Sequence, residues 1–130
     1  MSWTYEQLTG KLLDPSGALV ATGYAGGNEG KNPEGVNNPY LQTVACVGPL
    51  PAGTYTMGTP VPQSHLGPFA IPLIPAAGNE MYKRGHFYMH GDRTNATRCA
   101  SEGCIIMPRA VRDLVWASSD RKLNVVRGEA

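Results

Sequence analysis

Apolar residues in this chain come in short bursts, separated by stretches rich in glycine, proline and asparagine. Trp3 to Leu8 alternates loosely, the period of a strand with one buried face. Leu12-Leu13 and the run Ala18 to Tyr24 flank Asp14-Pro15-Ser16-Gly17, which predicts a hairpin. From Gly23 to about Pro39 the composition is that of a loop, and a loop this long in a small domain is more often functional than idle. Thr43 to Val47 reads as a short β run, Gly48 to Gly53 as a rigid turn and Thr54 to Met57 as the next strand. Pro60 to Pro68 is irregular. Phe69 to Ile74 is apolar but contains Pro72, which cannot donate to a ladder and so belongs at a sheet edge or bulge. Gly85 to Met89 and Cys104 to Met107 read as strands. Pro108 suits the first turn of a helix, and Ala110, Val111, Leu114 and Val115 recur at helical spacing up to about Ala117. Leu123 to Val126 closes the pattern as a strand. No internal repeat or linker interrupts it. The expectation is one mainly-β domain over residues 1–130, a sandwich or partly open barrel, with one short helix after the strand that begins at Cys104.

Composition narrows the function classes. With 42% apolar and 16% charged residues, the 130-residue chain is globular and long enough to bury a core. The formal net charge is +1 and no basic block interleaves with aromatics, which argues against nucleic acid as the main ligand. No apolar run is long enough to span a bilayer. The stretch Met1 to Gln7 lacks the basic start and apolar centre of a secretory signal, so synthesis in the cytoplasm without a leader is expected. Three cysteines, Cys46, Cys99 and Cys104, make an odd count that predicts no disulfide framework and at least one free thiol. Cys99 reads either as a small loop hydrophobe or as a resolving thiol for Cys104.

Chemistry concentrates in Phe87-Tyr88-Met89-His90-Gly91-Asp92 and Ala100-Ser101-Glu102-Gly103-Cys104-Ile105-Ile106. A histidine and a cysteine stand at the ends of two apolar segments. A thiol is a useful nucleophile only as thiolate, and a neighbouring imidazole can take its proton. Gly103 lets backbone approach a reacting carbonyl closely. Cys104 is therefore the candidate nucleophile and His90 the candidate base; the plain alternatives are a buried structural cysteine and a core histidine. A zinc-dependent peptidase built on His90, Cys99, Cys104 and Asp92 is a rival, although no Cys-x-x-Cys pair or His-Glu-x-x-His helix is present. The reading adopted has no metal and no cofactor. A module that only binds peptide, without catalysis, is the rival from outside enzymes.

His90-Gly91-Asp92 followed by Ser101-Glu102-Gly103-Cys104-Ile105 resembles the active-site signature of the YkuD-type L,D-transpeptidases. The match is closer to the branch delivered by type VI secretion systems, whose cysteine motif reads Ala-Ser-Glu-Gly-Cys-Ile-Ile as here. Glu102 stands where the broad family has histidine, in keeping with that branch. The resemblance extends to Trp3 to Gln7, Gly10-Lys11-Leu12, the loop after Tyr24, Gly48 to Tyr55 and His90 to Arg109. It implies a YkuD-like fold and a cysteine enzyme acting on the tetrapeptide stems of peptidoglycan through a thioester, with L,D-carboxypeptidase and D-amino-acid exchange activity. It also implies an antibacterial effector that acts in a target periplasm after delivery outside the general export route, with an immunity protein and a secretion-machine component as partners. By the same resemblance the Gly91 carbonyl orients His90, with Asp92 as alternative orienter or as a loop cap. Gly103 and Cys104 amides are the expected oxyanion donors. Ser101 supports that turn or touches substrate. Tyr24 and Asn38 are candidates to line the stem-peptide groove, and Arg98 and Arg109 to bind substrate carboxylates; an ordinary turn or surface role is the alternative for each. His65 has no assignment. His86 alternates with Tyr88 and His90 along the proposed strand, so all three would share a face.

Overall fold

The computed structural model describes residues 2–27, 31–61, 68–91 and 103–128. Its strands are β1 (Trp3–Glu6), β2 (Lys11–Leu13), β3 (Leu19–Thr22), β4 (Tyr24–Ala25), β5 (Gly53–Met57), β6 (Ile71–Pro75), β7 (Phe87–His90), β8 (Ile105–Ile106) and β9 (Lys122–Val126). Among the described residues one α-helix, α1 (Arg109–Ala117), lies between β8 and β9. The strands form one sheet in the order β3-β2-β1-β9-β5-β6-β7-β8-β4. Most neighbours are antiparallel; β1 with β9 and β7 with β8 are parallel.

The two outermost strands, β3 and β4, are separated in sequence by Gly23 alone. A chain that leaves one edge of a sheet and enters the other edge one residue later forces the sheet to curl round on itself. The result is a nearly closed, barrel-like sheet, the open-barrel form of the expectation and not the sandwich. Glycine is required at this seam. Gly23 N donates to the Gly10 carbonyl (2.8 Å), and a Cβ here would collide with the Ile106 carbonyl.

Strand alternation selects the core. Trp3 and Tyr5 of β1, Tyr55 of β5, Ile71 of β6, Met89 of β7, Ile105 of β8 and Leu123 of β9 are buried together. Each large apolar side chain withdrawn from water in this way contributes about 1.5–3 kcal/mol before entropy is counted. The predicted hairpin forms: Asp14 Oδ1 accepts from Ser16 N (2.9 Å) and Ala18 N (3.0 Å), and Gly17 takes φ 91°.

Four local expectations are corrected. Thr43 to Val47 is a series of turns, with Val47 N and Gly48 N both donating to the Val44 carbonyl and Cys46 at φ 69°. β6 sits inside the sheet although it contains Pro72. The Pro72 carbonyl accepts from Gly58 N (2.9 Å), one residue past the end of β5, so the missing proline donor falls where the neighbouring ladder has already stopped. His86 takes φ 61° and is exposed, which ends the alternation before it reaches Phe87. On α1 the buried positions are Arg112 and Val115, with Val111 and Trp116 partly buried, whereas Ala110 and Leu114 are exposed. No helix among the described residues is long and apolar enough to cross a membrane.

Candidate active site

The parallel ladder between β7 and β8 brings the two chemical segments together. Met89 pairs with Ile105 and His90 with Ile106, and Met107 N donates to the His90 carbonyl (3.0 Å). Cys104 stands one residue before β8, and its Sγ accepts a hydrogen bond from Tyr88 N (3.3 Å). Alternation puts Met89 and Ile105 on the core face and His90 and Ile106 on the other; Cys104, just before β8, is buried beside Tyr88 of the adjoining strand. The placement is rigid because both strands are ladder members of the sheet.

Cys104 is not in a disulfide and is buried, 2% exposed. His90 is also buried, and its Nδ1 lies 2.9 Å from the Gly91 carbonyl. A carbonyl only accepts, so Nδ1 carries the hydrogen and Nε2 is the basic nitrogen. Gly103, at φ 96°, makes the turn into Cys104, and its carbonyl accepts from Leu50 N (3.0 Å). A side chain there would meet Arg84 and the Gly48 carbonyl.

A buried arginine, Arg112, and a half-buried one, Arg84, support this region, and neither was marked by the sequence pattern. Arg112 of α1 donates Nε to the Met107 carbonyl (3.1 Å) and Nη1 to the carbonyls of Pro68 and Phe69 (2.9 Å each). A Cβ on Gly91 would lie 2.9 Å from its Nη2, so the residue after His90 packs directly on this guanidinium. Burial, then the nearby Arg109 charge, lowers its pKa, with Asp113 opposing. Arg84 donates to the carbonyls of Gln42, Gly48 and Pro49, and burial lowers its pKa while Tyr55 and Cys104 push back. The only hint in the sequence was an arginine on the inner stripe of α1, where a charge needs partners.

The remaining candidates divide. Tyr24 pairs with Ile106 across β4 and β8, so it shares the sheet face of His90. Asn38 works as a cap: its Oδ1 accepts from Tyr40 N (3.1 Å) and its Nδ2 donates to the Glu34 carbonyl (2.9 Å). Arg109 is half-exposed, bonded to Asp113 (3.0 Å) and stacked on Phe69. Asp92, Arg98, Cys99, Ser101 and His65 lie outside the described residues. Cys46 is disulfide-bonded, a single bond that the odd cysteine count did not point to. Pairing depends on which loops meet in space, and an odd count does not forbid one bond.

A family model described as the Tlde1 domain matches residues 21–127. No curated protein and no solved structure matches the chain.

Proposed function

The chain belongs to the Tlde1 domain family, the type VI secretion L,D-transpeptidase effectors, whose theme is peptidoglycan, and on that premise we propose that it is a cysteine enzyme acting on tetrapeptide stems. The observation that carries the proposal is the adjacency of β7 and β8, with His90 Nδ1 bonded to the Gly91 carbonyl and Cys104 held at the neighbouring strand.

In this reading His90 Nε2 takes the Cys104 proton and the thiolate attacks the carbonyl between the third stem residue and the following D-alanine. The carbon–nitrogen bond breaks, the leaving amine receives the proton from His90, and a thioester remains on Cys104. Backbone amides of Gly103 and Cys104 stabilise the oxyanion; one such donor is worth about 3 kcal/mol in a transition state. Water then releases a tripeptide, or the amine of a D-amino acid or another stem resolves the thioester by exchange or cross-linking. The Gly91 carbonyl does the orienting that an acidic residue does in other triads. Tyr24 lines the groove on the His90 face, and Ser101, Asp92 and Arg109 remain candidate substrate contacts. The whole of residues 1–130 serves as a single catalytic domain. Delivery to the periplasm of a target cell fits the family; an immunity protein and a secretion-machine component are the proposed partners.

The test incubates the protein and its Cys104→Ala variant with disaccharide-tetrapeptide, with and without a free D-amino acid. Muropeptide analysis is expected to give tripeptide and exchanged tetrapeptide from the first only. Absence of conversion by both would overturn the proposal in favour of a peptide-binding module.

A further inference from the structure

Arg84 stands behind the turn that carries the nucleophile. Its Nη1 donates to the carbonyls of Gln42 (2.6 Å) and Pro49 (2.8 Å), and its Nη2 to that of Gly48 (3.0 Å). A Cβ on Gly103 would lie 2.6 Å from the same Nη2, so the guanidinium packs against the backbone just before Cys104. Phe87, which opens β7, has its ring centre 5.2 Å from the guanidinium carbon. Leu50 N closes the arrangement by donating to the Gly103 carbonyl. Behind it, the fully buried Gln7 donates to the Leu50 carbonyl (2.9 Å) and to Gln42 Oε1 (3.2 Å), and Gln42 Oε1 also accepts from Ala52 N (2.8 Å). One cation thus fastens the 42–50 loop to the start of β7 and to the cysteine turn.

We propose that Arg84 is a positioning residue for Cys104: its guanidinium fixes the Gly103 turn, and its half-buried positive charge favours the thiolate over the thiol. The inference rests on the thiol reading above and adds to it a residue outside the His90–Cys104 pair. The physical reason is the one that governs any thiol beside a cation. An opposite charge within about 4–6 Å lowers an acid's pKa by roughly 1–3 units, and more strongly where water is excluded. Arg84 packs against Gly103, the residue next to Cys104, and the coupling of a cation and a thiolate so placed is reciprocal: what steadies the cation steadies the anion. Charged and titratable groups near Cys104 are His90 and Tyr88 on the adjoining strand β7, Tyr24 on β4 beside β8, Arg84, and Tyr55 of β5 beside Arg84; Arg112 of α1 lies beyond His90, against Gly91.

The experiment measures the rate at which iodoacetamide alkylates Cys104 as a function of pH, read on the Cys104 peptide by mass spectrometry. It uses the full chain, Arg84→Lys, and two uncharged replacements: Arg84→Gln, which keeps an amide donor for the carbonyls, and Arg84→Met, which keeps the length. Two neutral variants guard against one failing to fold, and thermal melts report which have folded. The inflection for Gln or Met is expected about 1–2 units above that of the parent, with tenfold less thiolate per unit below the inflection, while Lys stays within about half a unit. An unmoved inflection in a folded neutral variant overturns the proposal. So does an equal shift in Lys and Gln, which would mean that only the packing of the turn matters. Alkylation needs no peptidoglycan, so the two readings fail separately. A moved inflection in a protein that leaves tetrapeptide untouched sinks the proposed function and keeps Arg84; cleavage with an unmoved inflection does the reverse.

Discussion

Tyr5 is fully buried on β1, and its hydroxyl has no hydrogen-bond partner among the described residues. Burial alone pushes its phenol well above the ordinary tyrosine range. Tyr55 is raised by the same cause, although its hydroxyl donates to the Pro51 carbonyl (2.7 Å). In the unfolded chain both phenols titrate near pH ~10, so there the unfolded state loses protons first. Their contribution is therefore complete below that pH and is lost as pH rises toward the folded pKa. Thermal melts should hold steady to about pH 9 and fall above about pH 10. Tyr5→Phe should flatten part of that fall. At neutral pH the same variant should be neutral or up to about 1 kcal/mol more stable, because it removes a buried hydroxyl without a partner. At this scale the sequence marked His90, Gly103 and Cys104 by residue type and order, and the family resemblance added Gly91. It did not separate Asn38, whose side chain caps a turn, from a groove residue.

Secondary elements were legible where local chemistry decides them. The Asp14–Gly17 turn, β5, β9 and α1 fall where turn residues and periodicity put them. The misreadings have one cause, which is that a local pattern does not say what lies beside it. Pro72 looked unfit for a sheet interior, but the β5 ladder ends at the rung where its donor is missing. Arg112 interrupts the apolar stripe of α1 because three backbone carbonyls converge on that face. Those carbonyls lose their donor in Arg112→Met. The variant should be about 2–3 kcal/mol less stable in urea unfolding, and its helix should loosen from β7 and Gly91. A loss under about 0.5 kcal/mol would mean that water replaces the guanidinium at no cost.

For the molecule as a whole, closure follows from the single-residue step between β3 and β4. It aligns Tyr24, Ile106 and His90 on three neighbouring strands. The disulfide at Cys46 also belongs to this scale. Disulfides persist in oxidising compartments such as the periplasm, in keeping with the family. Under denaturing, non-reducing conditions, iodoacetamide should add one group per chain, at Cys104, and after reduction three, matching the three cysteines. Three groups without reduction would show that the bond is not formed. Reduction should lower the melting temperature, since a cross-link typically contributes about 2–4 kcal/mol.

Order along the chain settled the parts of this protein that depend on neighbours in sequence: strand periods, the hairpin turn, the helix start at Pro108, and a histidine and a cysteine each next to a glycine. The histidine and cysteine motifs also sufficed to resemble the family that matches residues 21–127. Only the fold decided that Arg84 lies against Gly103, that Gly91 packs on Arg112, and that Cys46 forms a disulfide. Those contacts join residues far apart in the chain, and side-chain type alone does not say which loops the closing sheet will bring within bonding distance.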